Sequence, residues 1–367
     1  MSVPPPLSME EPALEPLQTD QPPEPSLSDP PPSEKPPTSA LEEVPLDEEN
    51  LLQPSVRLIV DDLIMPSTNA LVGSALALQN LVVRHCANPA RGPDQDLKAA
   101  FAHTVVAAAQ ATPLAFNATN EDRSAQQLFT EIADTAFSLS RLEALANGRV
   151  TPPSSLAALN EEEAAVVGLP ALEYLLITGP FGGEATLSRR CRHALAVAAN
   201  VHRTARLLAE AWTRGDVASH WTSQPVDLAH RLRLRDLIQG MMEAVNMLTE
   251  DVERFADRSA SLPGELPFSS NAHTFLYFSA TLDGLSRHAA FLTTMAEPDG
   301  RPISLLETLR RTLQDARQSV ANAAGEDKGV FDPTPFRDAK TIILDELPGA
   351  FAFDRAAFDQ PVFRADQ

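Results

Sequence analysis

Gly168-Leu-Pro-Ala-Leu-Glu-Tyr-Leu-Leu176, inside Val166–Ile177, is the most telling stretch of this 367-residue chain. Leu169, Leu172, Leu175 and Leu176 recur at three- and four-residue spacing, which makes one apolar stripe of a helix. Pro170 suits a first helical turn, where an N–H would have no partner, and Gly168 permits a bend or a close approach of backbone. Glu173 is the odd member. It follows Leu172 and lies four residues after Leu169, so it sits beside the stripe. A carboxylate flanked by core residues has to be hydrogen-bonded, ion-paired, protonated or bound to a cation. Two readings stand: a structural pairing, with an arginine as one candidate, or a ligand role.

The same period runs outward from this segment. Leu71, Ala75, Leu78 and Val82 form one stripe, and Leu128, Ile132, Ala136, Leu139 and Leu142 another. Breakers at Pro89 to Pro93, Gly148 to Pro153, Gly179 to Gly183, Gly215, Pro263 to Pro267, Pro298 to Gly300 and Gly325 separate helices expected over 56–86, 94–112, 121–147, 160–178, 184–214, 226–258, 271–296 and 302–324. Asn160 followed by Glu161, Glu162 and Glu163 reads as a helix start, with acids at the positive end of the dipole. Pro66 is expected to kink or divide the first helix. Alternating β-branched and aromatic runs are scarce. The expected fold is therefore all-α, two packed antiparallel bundles over 55–330. The last segment, 331–367, with Phe331, Phe336, Phe351, Phe353, Phe358 and Phe363 among prolines and aspartates, reads as irregular chain packed by its phenylalanines.

Residues 1–54 differ in kind. The first 50 positions hold 14 of the 32 prolines, 12 acids and the single base Lys35, with no aromatic residue. Such a stretch cannot bury enough apolar area to offset its entropy and is expected to be a disordered acidic tail. It carries 11 of the net 21 negative charges, which leaves −10 on the rest. An acidic body without a basic face argues against nucleic acid as a partner. The basic runs Arg189, Arg190, Arg192, His193 and Arg231, Arg233, Arg235 read as solvated surface or internal pairing. No stretch of 18 apolar residues free of charge exists, so no transmembrane span is expected, and no secretory leader is seen. The sequence leaves cytosolic and exported locations both open.

Signatures of catalysis are missing: no His-Glu-x-x-His, no Gly-x-Ser-x-Gly, no phosphate loop, no Cys-x-x-Cys. The histidines are scattered, with His193 and His202 nine apart and His220 and His230 ten apart. Neither pair has the i, i+4 spacing that gives two imidazoles to one metal. Cys86 and Cys191 are two buried thiols in a cytosolic protein or a disulfide in an exported one.

Gly168 to Leu176 resembles the imelysin-like family, classed as M75 peptidases and linked to bacterial iron uptake. So do Cys191-Arg-His-Ala-Leu-Ala-Val-Ala-Ala-Asn200 with Trp212 after it, the opening Val60-Asp-Asp-Leu-Ile-Met-Pro66 to Cys86-Ala-Asn-Pro89, and Phe275-Leu-Tyr-Phe-Ser-Ala-Thr-Leu-Asp-Gly-Leu285. The resemblance covers roughly 55–325. It implies an all-helical, two-lobed protein of the periplasm or outer envelope, and a Cys86–Cys191 disulfide matching the family's pair. The family's Gly-x-His-x-x-Glu falls on Gly168, Pro170 and Glu173, so proline stands where the histidine belongs, with neither a ligand atom nor an acid–base group. Leu114-Ala-Phe-Asn117 stands in place of the family's Arg-Phe-Gly-Pro, and its Phe-Trp-Pro-Asp is replaced near Phe129 to Asp134.

The function expected from all this is an envelope binding or accessory protein, non-catalytic, serving iron or other metal acquisition. Its ligand would be iron, a divalent metal or a small molecule, with Glu173 as the candidate metal residue, or its partner an envelope protein. The alternatives are a divergent M75 metallopeptidase using Glu173 with His193 or His202, and a protein-interaction scaffold.

Overall fold

The computed structural model describes residues 59–89, 92–118, 135–149, 168–179, 184–213, 226–257, 268–296, 300–325, 331–354 and 358. The tail, the Asn160 helix start, Phe129 to Asp134, His220 and Phe363 lie outside them. Every regular element among the described residues is a helix, without a strand. α1 runs Ile59–Ala87, opening with a π-turn at Ile59–Ile64; α2 is Gln95–Ala118; α3 is Thr135–Ala146. The segment quoted first is α4, Leu169–Glu173 continuing as a π-turn to Thr178. α5 (Glu184–Thr213), α6 (Val226–Ala256), α7 (Asn271–Met295) and α8 (Arg301–Ala324) are the long helices that follow. The final helix, α9, runs from Thr334 through a π-turn at Ile342–Glu346 to Ala350.

The described residues belong to one compact unit. Within it two groups of helices share α2. α1 packs on α2 and α5, while α7 packs on α2, α6 and α8. The α1 stripe read from the sequence, Leu71, Ala75, Leu78 and Val82, is buried along its full length. A disulfide joins Cys86 of α1 to Cys191 of α5, with Cα atoms 5.4 Å apart. By length and composition α1 is also the one described helix apolar enough to cross a membrane. Leu76 and Val83 are exposed on it.

Pro66 falls where the first helix is divided, in the opening turn of the α-helical Met65–Ala87 just after the π-turn, and Ser67 Oγ and Thr68 Oγ1 donate to the Leu63 and Ile64 carbonyls at 2.8 and 2.9 Å. Two expectations are corrected by the backbone. Pro113 does not end α2, which carries it internally and continues to Ala118. The segment after 331 is not irregular, because Thr334 to Ala350 is helical. Its Phe331 and Phe336 do pack as expected, against Phe255, Phe275 and Phe278. The basic runs follow both readings given for them: Arg192 and Arg231 are exposed, while Arg190, His193 and Arg233 are buried.

One crossing shows why a particular glycine is there. A Cβ at Gly284 of α7 would lie 2.6 Å from the Gln110 carbonyl oxygen of α2. The two helices touch backbone to backbone, and only glycine allows it.

Candidate functional site

α4 is buried almost whole, from Leu169 to Leu176 with Pro170 the partly exposed member. Gly168 is its N-cap in an extended conformation, and its carbonyl accepts from Leu172 N at 3.3 Å. Pro170 occupies the first turn, where the missing N–H costs nothing.

Glu173 is 0% exposed. Its carboxylate is directed at the start of α7, where four donors meet it. Ser269 N and Ser269 Oγ donate to Oε2 at 2.6 and 2.7 Å. Ser270 N and His273 Nδ1 donate to Oε1 at 3.2 and 2.5 Å. Ser270 is itself the N-cap of α7, its Oγ accepting from His273 N at 3.2 Å. The buried negative charge therefore sits on the positive end of a long helix and takes up N–H groups that would otherwise be orphaned. Charge-assisted bonds of this kind are the strong ones. Because the proton of Ser269 Oγ goes to Glu173, the 2.6 Å contact with Thr178 Oγ1 has Thr178 as the donor.

His273 lies a hundred residues from Glu173 in sequence and closes the site. Nδ1 carries the hydrogen, since the carboxylate here only accepts. Its ring packs edge-on to Phe101 at 5.0 Å and Phe268 at 6.2 Å. The side chain is 16% exposed, and Nε2 has no hydrogen-bond partner among the described residues. One turn further along α7, Tyr277 donates to Asp251 at 3.1 Å. Burial raises the Asp251 carboxyl to about 7, against the pull of Arg254 and of that hydrogen bond.

The other end of α4 is held by Arg190 of α5, 2% exposed. Its Nε donates to Leu175 O at 2.9 Å and its Nη2 to Tyr174 O at 2.6 Å, with the guanidinium 5.7 Å from the Tyr174 ring centre. A cation on the last carbonyls of a helix meets the negative end of its dipole. Burial pulls the Arg190 pKa down from its ordinary value, and Tyr174 opposes this. Gly179 makes room: a Cβ there would lie 2.3 Å from Tyr174 O and 2.8 Å from Arg190 Nη2.

Glu173 thus takes the hydrogen-bonded option, and its partners are serines and a histidine. Arg190, the arginine packed on α4, binds the carbonyls of the same helix instead. His202 is engaged elsewhere, its Nδ1 2.8 Å from Gln79 Oε1 of α1, and His193 is buried in α5. No group of three or more His, Cys, Asp or Glu side chains is placed to hold a metal among the described residues. His273 was missed in the sequence because nothing local links it to Glu173. The one available cue was Ser269-Ser-Asn-Ala-His273, a capping serine three residues before a histidine at a helix start.

The imelysin family profile (peptidase M75) matches residues 64–342. Among solved structures, the chain is similar to an imelysin-like protein from Psychrobacter arcticus 273-4, with TM-score 0.67 and 16% identity over 84% of this chain and 97% of that one. It is also similar to a protein named as an iron-regulated protein A precursor, from Parabacteroides distasonis ATCC 8503, with TM-score 0.54 and 13% identity over 84% and 95%. No curated protein matches the chain. With the profile spanning α1 to the start of the π-turn in α9, and the fold shared over 84% of its length, this chain belongs to the imelysin family.

Proposed function

We propose that this protein is a cell-envelope binding protein of metal acquisition that does not hydrolyse peptides, with His273 as the contact for its ligand. The observation that carries the reading is the saturation of Glu173. Both of its oxygens accept from α7, so the carboxylate orients His273 and anchors a helix instead of ligating an ion directly. Pro170, at the position of the family's histidine, supplies no replacement.

A carboxylate that fixes one nitrogen of an imidazole and leaves the other available is the arrangement that prepares a histidine to bind a metal. A single imidazole holds a bare cation poorly. The fitting ligand is a metal that arrives with most of its coordination already filled, such as a ferric chelate. The iron-regulated naming of one structural neighbour and the disulfide, at home in an oxidising compartment, favour the envelope and iron.

Calorimetry with ferric citrate tests this. Wild type is expected to bind, and His273→Ala to lose at least about tenfold in affinity while keeping its fold. Equal binding by both proteins, or none by either, contradicts the assignment. Peptide cleavage by the purified protein that a chelator abolishes would contradict the non-hydrolytic part.

A further inference from the structure

The long crevice between α7 and α8 lies outside the Glu173 site and encloses about 1520 Å³. One wall is a face of α7 that includes Ala272, Phe275, Leu276, Ser279 and Ser286. The other is a face of α8 with Arg310, Arg311, Gln314, Arg317, Ala321 and Ala324. Ala272 to Ser286 spans about 21 Å at 1.5 Å per residue.

The crevice has two unlike ends. The short connection from Met295 to Arg301 makes the two packed helices antiparallel, and the Arg317–Asp283 bridge, 2.8 Å long, sets their register, with the α8 arginines opposite the middle and later turns of α7. The other end is aromatic: Phe255 lies 4.9 Å from Phe275 and 5.2 Å from Phe331, ring centre to ring centre. Arg310 and Arg311 are exposed and have no ion-pair partner among the described residues, and Glu307 is the one acid in the lining. Three arginines against one acid give the lining a net positive charge, on a chain whose residues beyond the N-terminal tail sum to −10.

We infer that this crevice docks an acidic amphipathic helix of a partner protein. Its volume exceeds the roughly 300–1,000 Å³ of small-molecule pockets and its length follows two helices, which suits a chain segment. The walls are two helices with no free strand edge, so an extended peptide would find no backbone to pair with, whereas a helix can lay an apolar face into such a groove. The small residues Ala272, Ser279, Ala321 and Ala324 let a third helix come close. Apolar side chains at i, i+3, i+4 and i+7 would meet Phe275, Leu276 and Phe331, and flanking carboxylates would meet Arg310 and Arg311. The inference does not rest on His273 or on any metal.

The test uses the full chain and two fluorescein-labelled helical peptides of about four turns, spanning the same length as the groove. Both carry leucines on one face; one is flanked by glutamates and the other by lysines. The glutamate peptide is expected to bind wild type, to weaken as salt rises, and to lose at least about tenfold in affinity against Arg310→Glu/Arg311→Glu. Ala321→Trp, which fills the groove from an exposed position, should lose binding without reversing any charge. The lysine peptide should bind only the charge-reversed protein. Circular dichroism melts check that both variants fold. Equal binding of the two peptides, unchanged binding by the variants, or no binding at all overturns the proposal. So does arginine-dependent binding to phosphatidylglycerol vesicles with no peptide binding, which would make the crevice a membrane-facing surface.

Discussion

At the scale of single residues, Glu173 and Arg190 share one task from opposite ends of α4. The carboxylate satisfies the N–H groups that open α7, and the guanidinium satisfies the carbonyls that close α4. Glu173→Gln replaces an acceptor by an amide whose NH₂ faces donors, leaving Ser269 N or Ser270 N unsatisfied in a buried place. The expected cost is on the order of 3 kcal/mol in denaturant unfolding, with an unchanged m-value. A cost below about 0.5 kcal/mol, the range of ordinary surface substitutions, would show that the α7 cap does not depend on it. Asp251 gives a second prediction, because burial outweighs its Arg254 ion pair and reverses the pH dependence usual for a paired acid. Its folded pKa, about 7, lies above its ordinary 3.8, so the folded state holds the proton more tightly. Its contribution to stability is intact below pH 4 and is lost as pH rises through 7. Asp251→Asn removes that titration. The stability of wild type relative to the variant should therefore fall between pH 5 and pH 8, and a flat difference over that window would contradict the burial of an ionising Asp251.

The helices were legible where apolar spacing is long and regular, and illegible where proline decided the reading. The expected 226–258 and 302–324 compare with Val226–Ala256 and Arg301–Ala324. After 331 the prolines read as a mark of irregular chain, yet Pro335 and Pro348 sit in the first turns of the helical pieces of α9, as Pro302 does at the start of the expected α8. Pro113 is a different case, lying inside α2 where it forgoes one backbone bond. The Phe-rich end hid a helix for the same reason, although its phenylalanines were rightly assigned to packing. Glu173 was legible as a buried carboxylate because its neighbours in sequence are its neighbours in space on one helix. Its partners were not, because Ser269, Ser270 and His273 meet it only through the way α4 and α7 pack. At this scale Gly284→Ala is the informative change. The added methyl meets the α2 backbone, which cannot rotate away, so a loss of about 1–3 kcal/mol is expected. A neutral or stabilising result would mean that α7 and α2 are not in backbone contact.

For the whole molecule, the Cys86–Cys191 bond closes a loop across 105 positions and ties α1 to α5, the helix that also carries Arg190. In the loop-entropy account a closure of that length contributes on the order of 4–5 kcal/mol. Reduction, or Cys86→Ala/Cys191→Ala, should lower stability by up to that amount, and no change between oxidised and reduced protein would mean the bond is not formed. The central claim concerns what holds this molecule's motif together: a hydrogen-bonded cap at Glu173 and no metal there. It is tested most directly by thermal unfolding of wild type, Glu173→Gln and His273→Ala, each with EDTA and with excess Zn²⁺. The account predicts that Glu173→Gln lowers the midpoint by the same amount in both conditions. A stabilisation by Zn²⁺ that wild type and His273→Ala show and Glu173→Gln lacks would contradict it.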